Sequence, residues 1–290
     1  ELTEQWQTNL KLLREEKEKE LGDHRNSDFK SINVPANWNE MNQKQLRATI
    51  KLLAEYILPK GDFVTMADYN AFYVRYVKMI LNLSHRQFLS LSAEDVESMR
   101  VIADFIFGEC NINKVPFASI RAGFKKYYSP MIGLGGSTMM EMIFADTSFI
   151  NWSKSKSDED LYTLMAVLYR QKRKNLTEWQ SDPEKWNGDI REAFNESSVE
   201  SRAVYFQRKI KKVDALAVAY FYWGFRNVHL LRYKAVFPQE VQTSIKKKGW
   251  LDTVLEYSGD KFGDFKKTSE TDWALVLLEI QRVINQSKSK

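Results

Sequence analysis

At Asn42, Thr65, Ser92 and Thr138 a Ser, Thr or Asn stands three residues ahead of a Gln, Asp or Glu, and each time an apolar run with three- and four-residue spacing follows. Such a pair closes the first turn of a helix: the first side chain accepts from the amide three residues on, and the second reaches back. Asn42 with Gln45 heads Leu46, Ile50, Leu53 and Ile57, and Pro59-Lys60-Gly61 ends the run. Thr65 with Asp68 heads Tyr69, Phe72, Tyr76, Met79, Ile80 and Leu83. Ser92 with Asp95 heads Val96, Met99, Ile102, Phe105 and Ile106, ending at Gly108. Thr138 with Glu141 heads Met142, Ile143, Ala145 and Phe149. A chain punctuated in this way, with only 12 Gly and 6 Pro, is predicted to be mainly α, built of multi-helix bundle modules.

Further helices follow from the same spacing. Residues 2–21 form a charged rod with a narrow stripe of Leu2, Trp6, Leu10 and Leu13, stopped by Gly22. A stripe that narrow packs on one side or meets a partner, so Trp6, Leu10 and Leu13 are candidate protein contacts. Ser157 caps a run of Leu161, Leu164, Met165 and Leu168. The longest apolar region extends from about Ser201 to Val236, and its section from Ala215 to Phe225 is apolar on nearly every face, which marks a buried central helix. Between these runs, Trp179 to Gly188 reads as a loop, and its Trp179 and Trp186 are a second pair of candidate contacts. The C-terminal pieces are Trp250-Leu251 with Val254-Leu255, then Trp273 to Ile284, with Asn285 to Lys290 fraying.

The stretch 113–137 breaks the helical pattern. Val115, Phe117, Ile120 and the aromatic run Phe124, Tyr127, Tyr128 permit one or two short strands, with Pro116 confining the first to an edge. The expected organisation is therefore a helical N-terminal module at 1–112, an irregular or β-containing connection at 113–137, and a helical C-terminal module at 138–290. Gly133-Leu134-Gly135-Gly136-Ser137 lacks both the Lys-Ser/Thr ending of a P-loop and the spacing of a dinucleotide site, so it reads as a flexible connection or a module boundary.

Residue types that carry chemistry are scarce. One cysteine, Cys110, and three widely separated histidines, His24, His85 and His229, leave little from which to build a zinc site, a Cys/His pair or a disulfide. Asp158, Glu159 and Asp160 sit at a helix start, where the macrodipole favours them. Asp146 is expected to be partly buried as a cap or in an ion pair. Arg226 lies within the apolar helix and needs a carboxylate partner, either Asp146 or Asp214. His229 reads as a packed core histidine. No catalytic, cofactor-binding or metal-binding residue is assigned, and no cofactor is implied. Eight Trp, 13 Tyr and 17 Phe instead favour a protein that works by contact.

Charge divides unevenly: 1–112 hold 14 basic against 17 acidic residues, and 113–290 hold 29 against 21. The basic clusters are Arg170, Lys172, Arg173, Lys174; then Arg208, Lys209, Lys211, Lys212; then Lys246, Lys247, Lys248. They read as solvated helix faces. In the alternative reading they are phosphate contacts of a nucleic-acid-binding protein, with Trp179 and Trp186 stacking on bases. No apolar run approaches the roughly 18 residues that span a bilayer, the first twenty residues are too charged for a secretory signal, and a lone cysteine fits a reducing compartment.

The sequence TMMEMIFADTSFINW, followed by DEDLYTLMAVLYRQKR and the apolar AVAYFYWGFRN, resembles small helical proteins from phage tail and baseplate gene clusters. In those proteins a helix with an acidic residue precedes L-x-x-L-x-A-x-L-Y-R-P. Leu161, Leu164, Ala166, Leu168, Tyr169 and Arg170 match, and Gln171 replaces the proline. VPANWNEMNQKQLRATIKLL and KKGWLDTVLEYSGDKFGDFKKT are similar to segments of proteins in Bacteroidetes phages and prophages. The resemblance implies a virion structural or tail-assembly protein and not an enzyme. Its partners would be other phage structural proteins or copies of itself, and its location the host cytoplasm during assembly or the virion.

Overall fold

The computed structural model describes residues 34–183, 186–229 and 263–288, together with Arg232, Tyr233, Val236 and Leu255. The predicted first helix with Trp6, Leu10 and Leu13 lies outside the described residues, as do Lys246–Lys248, Trp250, Leu251 and Val254. What is described is mainly helical, with one two-stranded antiparallel sheet.

The capping pairs at Asn42, Thr65 and Ser92 form as read, whereas at Thr138 only the forward half forms, from the Glu141 amide to the Thr138 hydroxyl. Asn42 Oδ1 accepts from the Gln45 amide at 2.9 Å and Gln45 Oε1 from the Asn42 amide at 3.0 Å, opening α1 (Gln43–Tyr56), which buries Leu46, Ile50 and Leu53. Thr65 and Asp68 close the same reciprocal pair at the start of α2 (Met66–Ile80). That helix ends before Leu83, because Asn82 takes a left-handed conformation at φ 52°. A further pair, Ser84 with Gln87, opens the short α3 (His85–Leu89).

The third expected helix is interrupted. It runs as α4 (Ala93–Ser98), a 3₁₀ stretch (Met99–Ala103) and α5 (Asp104–Phe107). A 3₁₀ turn advances about 120° per residue, so it shifts the phase of the apolar stripe. Beyond the shift, Phe105 meets the edge of Trp38 at 5.9 Å, while Phe107 packs against Tyr69, Phe72 and Tyr73. Tertiary contact has overridden the regular period here.

Two helices form the centre. The hairpin of α6 (Met139–Ser155) and α7 (Asp158–Leu168) turns at Lys156, whose φ of 55° ends α6. The remaining layers are α8 (Leu176–Gln180), α9 (Val199–Lys209), α10 (Lys212–His229), α11 (Phe265–Glu270) and α12 (Trp273–Lys288). α7 packs against α6, α9 and α10, and every residue of α10 from Asp214 to Tyr222 is buried. This is the central helix read from the sequence, although the apolar region from Ser201 is split at Ile210 and Lys211. α1 packs on α10, and α11 and α12 pack on α6. Trp38 reaches the same core, with its ring 5.6 Å from that of Tyr220. The described residues from Val34 onward belong to one compact unit. α12 continues through Lys288, past the expected fraying point.

The sheet is a hairpin of β1 (Ser119–Ala122) and β2 (Lys125–Tyr128), with Ala122 opposite Lys125. Gly123 and Phe124 make the turn, and Gly123 supplies the positive φ of 57° that the first position of a type II′ turn requires. The glycine-rich turn at 133–136 is packed, not a free connection. Leu134 is buried, and its carbonyl accepts from Trp273 Nε1 at 3.0 Å.

Candidate functional site

Among the described residues the densest polar arrangement lies inside the protein. Glu141 on α6, Arg170 just after α7, and Asp189 and Arg191 on the following loop are each 4% exposed or less. Arg191 Nη1 donates to Glu141 Oε1 at 2.7 Å and to the Leu168 carbonyl at 2.6 Å. Its Nε donates to Asp189 Oδ1 at 2.9 Å, and its Nη2 to Asp189 Oδ2 at 2.8 Å and Ser137 Oγ at 3.1 Å. Arg170 Nη2 donates to Glu141 Oε2 at 2.9 Å and Asp189 Oδ2 at 3.3 Å.

Two guanidiniums thus face two carboxylates, and the group is neutral as a whole. Burial pulls the Arg170 pKa down, against the pull of Glu141. Burial acts on Arg191 in the same direction, but Glu141 and Asp189 outweigh it and raise the pKa. Among the described residues Arg170 Nε and Nη1 have no hydrogen-bond partner, and the Phe194 ring lies 5.8 Å from its Cζ, offering its face to that cation. The cluster ties the 187–191 loop to α6 and the end of α7. With every member buried, its chemistry is structural: removing one partner strands a charge, at a cost of about 3–5 kcal/mol.

A second ion pair, between buried Asp146 and half-buried Arg226, joins α6 to α10. Arg226 Nε donates to Asp146 Oδ1 at 2.6 Å, and Tyr222 donates to the same oxygen at 3.3 Å. Burial, then the Asp146 charge, pushes the Tyr222 hydroxyl well above its ordinary range. Of the two partners considered for Arg226, the structure selects Asp146. Asp214 pairs instead with Arg47 of α1 at 2.7 Å, yet burial still raises its pKa. His229 stacks on Phe225 with ring centroids 5.1 Å apart, and burial lowers its pKa, with Arg232 adding to the effect. Among the described residues no three His, Cys, Asp or Glu side chains converge as a metal site.

The surface offers a groove between α2, α3 and α4, about 130 Å³ in volume, lined by Asn70, Tyr73, Val74, Val77, Phe88, Val96 and Arg100. Arg100 donates to Asn70 Oδ1 at 2.8 Å and lies over the Tyr73 ring. Lys78 Nζ stands 5.7 Å from the Phe88 ring centroid. An apolar cavity of roughly 150 Å³ accepts a benzene-sized group, so this groove has room for one ring or branched side chain.

The predicted contact residues are dispersed. Trp179 lies within α8 and not in a loop, and its ring takes the Arg173 guanidinium at 3.9 Å. Trp186 is half-buried. Arg170 is turned inward, which corrects its expected place at the surface: the first basic cluster presents Lys172 and Lys174, with Arg173 half-buried. Arg208, Lys209 and Lys211 are exposed at the end of α9, and Lys212 pairs with Asp158 at 2.5 Å. Sequence reasoning took Glu141 for a capping residue and overlooked Asp189 and Arg191. The alternation Asp189-Ile190-Arg191 was the available signal, since it sets both charges on one side of an extended segment.

Among known protein families, curated proteins and solved structures, none matches this chain.

Proposed function

We propose that this protein is a non-enzymatic assembly component acting through protein–protein contacts, of the phage-tail kind its sequence resembles. The observation that supports this reading best is the groove of Tyr73, Val74, Val77, Phe88 and Val96. It is apolar, open at the surface and sized for a single anchoring side chain, the form in which a partner's aromatic or branched residue is usually received. Leu89, next to Phe88 in the chain, is 68% exposed and extends the apolar surface.

The test is retention of partners by tagged protein from phage-producing cells, after nuclease treatment, with proteins identified by mass spectrometry. Wild type is expected to retain tail or capsid components. Val74→Glu with Val96→Glu, which puts two carboxylates into the groove, is expected to release them while keeping the wild-type circular dichroism spectrum. Retention of no virion component by wild type, or equal retention by the variant, overturns the reading.

A further inference from the structure

The β-hairpin carries two features that the packing of the protein does not use. Phe124 occupies the second position of the turn, a place usually taken by small polar residues or Gly, and its side chain is 110% exposed. Beside it the register sets Arg121 directly opposite Lys126. Like charges opposed across two strands destabilise the pair, and between Glu109 and Glu141 the sequence holds no Asp or Glu to offset them. Lys126 leans over Tyr128, with Nζ 5.0 Å from the ring centroid.

The tip is also held rigid. Tyr205 of α9 donates its hydroxyl to the Ala122 carbonyl at 2.9 Å, and Tyr127 sets its ring against that of Phe206 at 4.7 Å. Arg208 and Lys209, both exposed, follow Tyr205 by three and four residues and so share its face of the helix. Cations therefore extend from the turn to the end of α9, with one unsheathed aromatic ring at the head of the row.

We infer that this hairpin binds single-stranded nucleic acid, with a base against the Phe124 ring and phosphates against the Arg121–Lys126 pair, Arg208 and Lys209. A phosphodiester between Arg121 and Lys126 relieves their repulsion, and an unstacked base covers the ring. A paired duplex keeps its base faces stacked and has none to offer. The α9 cations stand a tyrosine side chain away from the hairpin, a spacing that a chain of successive phosphates bridges. This site is separate from the apolar groove and stands or falls without it.

The experiment is fluorescence anisotropy of a labelled oligothymidylate titrated with the full chain between about 50 and 200 mM salt. The expected log–log slope of affinity against salt is about −2 for three phosphates neutralised, one by the Arg121–Lys126 pair and one each by Arg208 and Lys209. Phe124→Ala is expected to weaken binding by about 5- to 150-fold, the range of one lost base stack. Arg121→Glu turns the opposed pair attractive, so it is expected to raise the thermal midpoint while abolishing binding, a combination that damage to the fold does not produce. Lys172→Glu with Lys174→Glu leaves binding unchanged. Absence of binding at the lower salt, or binding that survives both hairpin variants, overturns the inference. Binding to phosphatidylserine vesicles without binding to the oligonucleotide overturns it in favour of a membrane surface.

Discussion

Replacing Gly224 by Ala probes α10 where it lies against the backbone of Ile112. In an ordinary helix interior the change stabilises by about 1 kcal/mol, because Gly is the poorer helix former. Here the added methyl would fall on the backbone N and O of Ile112, with its carbonyl carbon 2.8 Å away. Those atoms cannot retreat cheaply. Asn227 Nδ2 donates to the Cys110 carbonyl at 2.9 Å, Asn39 Nδ2 to the Asn111 carbonyl at 2.9 Å, and the Asn113 amide to Asn39 Oδ1 at 2.9 Å. Overpacking costs about 1–3 kcal/mol, and collision with anchored backbone belongs at the upper end. After the propensity gain, the net loss is about 2 kcal/mol. In a protein of this size each kcal/mol moves the thermal midpoint by about 2–4 °C, so a fall of about 4–8 °C is expected by circular dichroism. Gly108→Ala is the control, since its nearest neighbour would lie at 3.6 Å and its φ of −83° suits any residue. It should change stability by less than about 0.5 kcal/mol. A Gly224→Ala protein that melts at or above the wild-type temperature refutes the close approach of Ile112 to α10.

Glu141→Gln should lower stability by about 3–5 kcal/mol in urea unfolding, because both buried guanidiniums lose a counter-charge; a midpoint within error of wild type would show that the cluster is not closed. Burial pushes the Cys110 thiol up to about 12, so a thiol reagent at neutral pH should label the native protein only as fast as it opens. Labelling far faster than unfolding measured in parallel would place Cys110 at the surface. Asp68 is held at about 2, against an ordinary 3.8, by the Lys60 ammonium and by the amide and hydroxyl of Thr65. Its folded pKa is the lower one, so its contribution is complete above about 3.8 and is lost as pH falls towards 2. The urea midpoint of wild type should fall more steeply than that of Asp68→Asn across that window; parallel curves would remove the cap's role.

The helix starts were legible because their cause is local. A capping side chain meets an amide three residues away, and no tertiary information enters. The central helix was legible for a similar reason: only burial on nearly every side tolerates the composition of residues 215–225, and of these Trp223 alone is exposed. The break between Ser98 and Asp104 was not, because it answers to Trp38, more than 60 residues earlier. Glu141 shows how a correct local reading conceals another role. Its amide does donate to the Thr138 hydroxyl at 3.2 Å, but its carboxylate serves Arg191, 50 residues on. Arg226 could be narrowed to two partners by sequence and to one only by distance. Phe124 read as part of a strand, and only the register places it at the turn.

The hairpin is fastened to the interior by main chain as well as by Tyr205. The Tyr128 amide donates to the Arg170 carbonyl at 2.7 Å, the Arg170 amide returns the bond at 3.2 Å, and Lys172 pairs in turn with Arg191. Both arginines of the buried cluster therefore sit on the rungs of a short ladder that leads out to the turn. Mechanically this is a load path: a force applied at the tip passes through two backbone bonds into four interlocked charges, and from there into α6. The hairpin cannot peel away while those charges hold. Loosening them by mutation would slacken a surface element at the far end of the ladder before the helices themselves came apart.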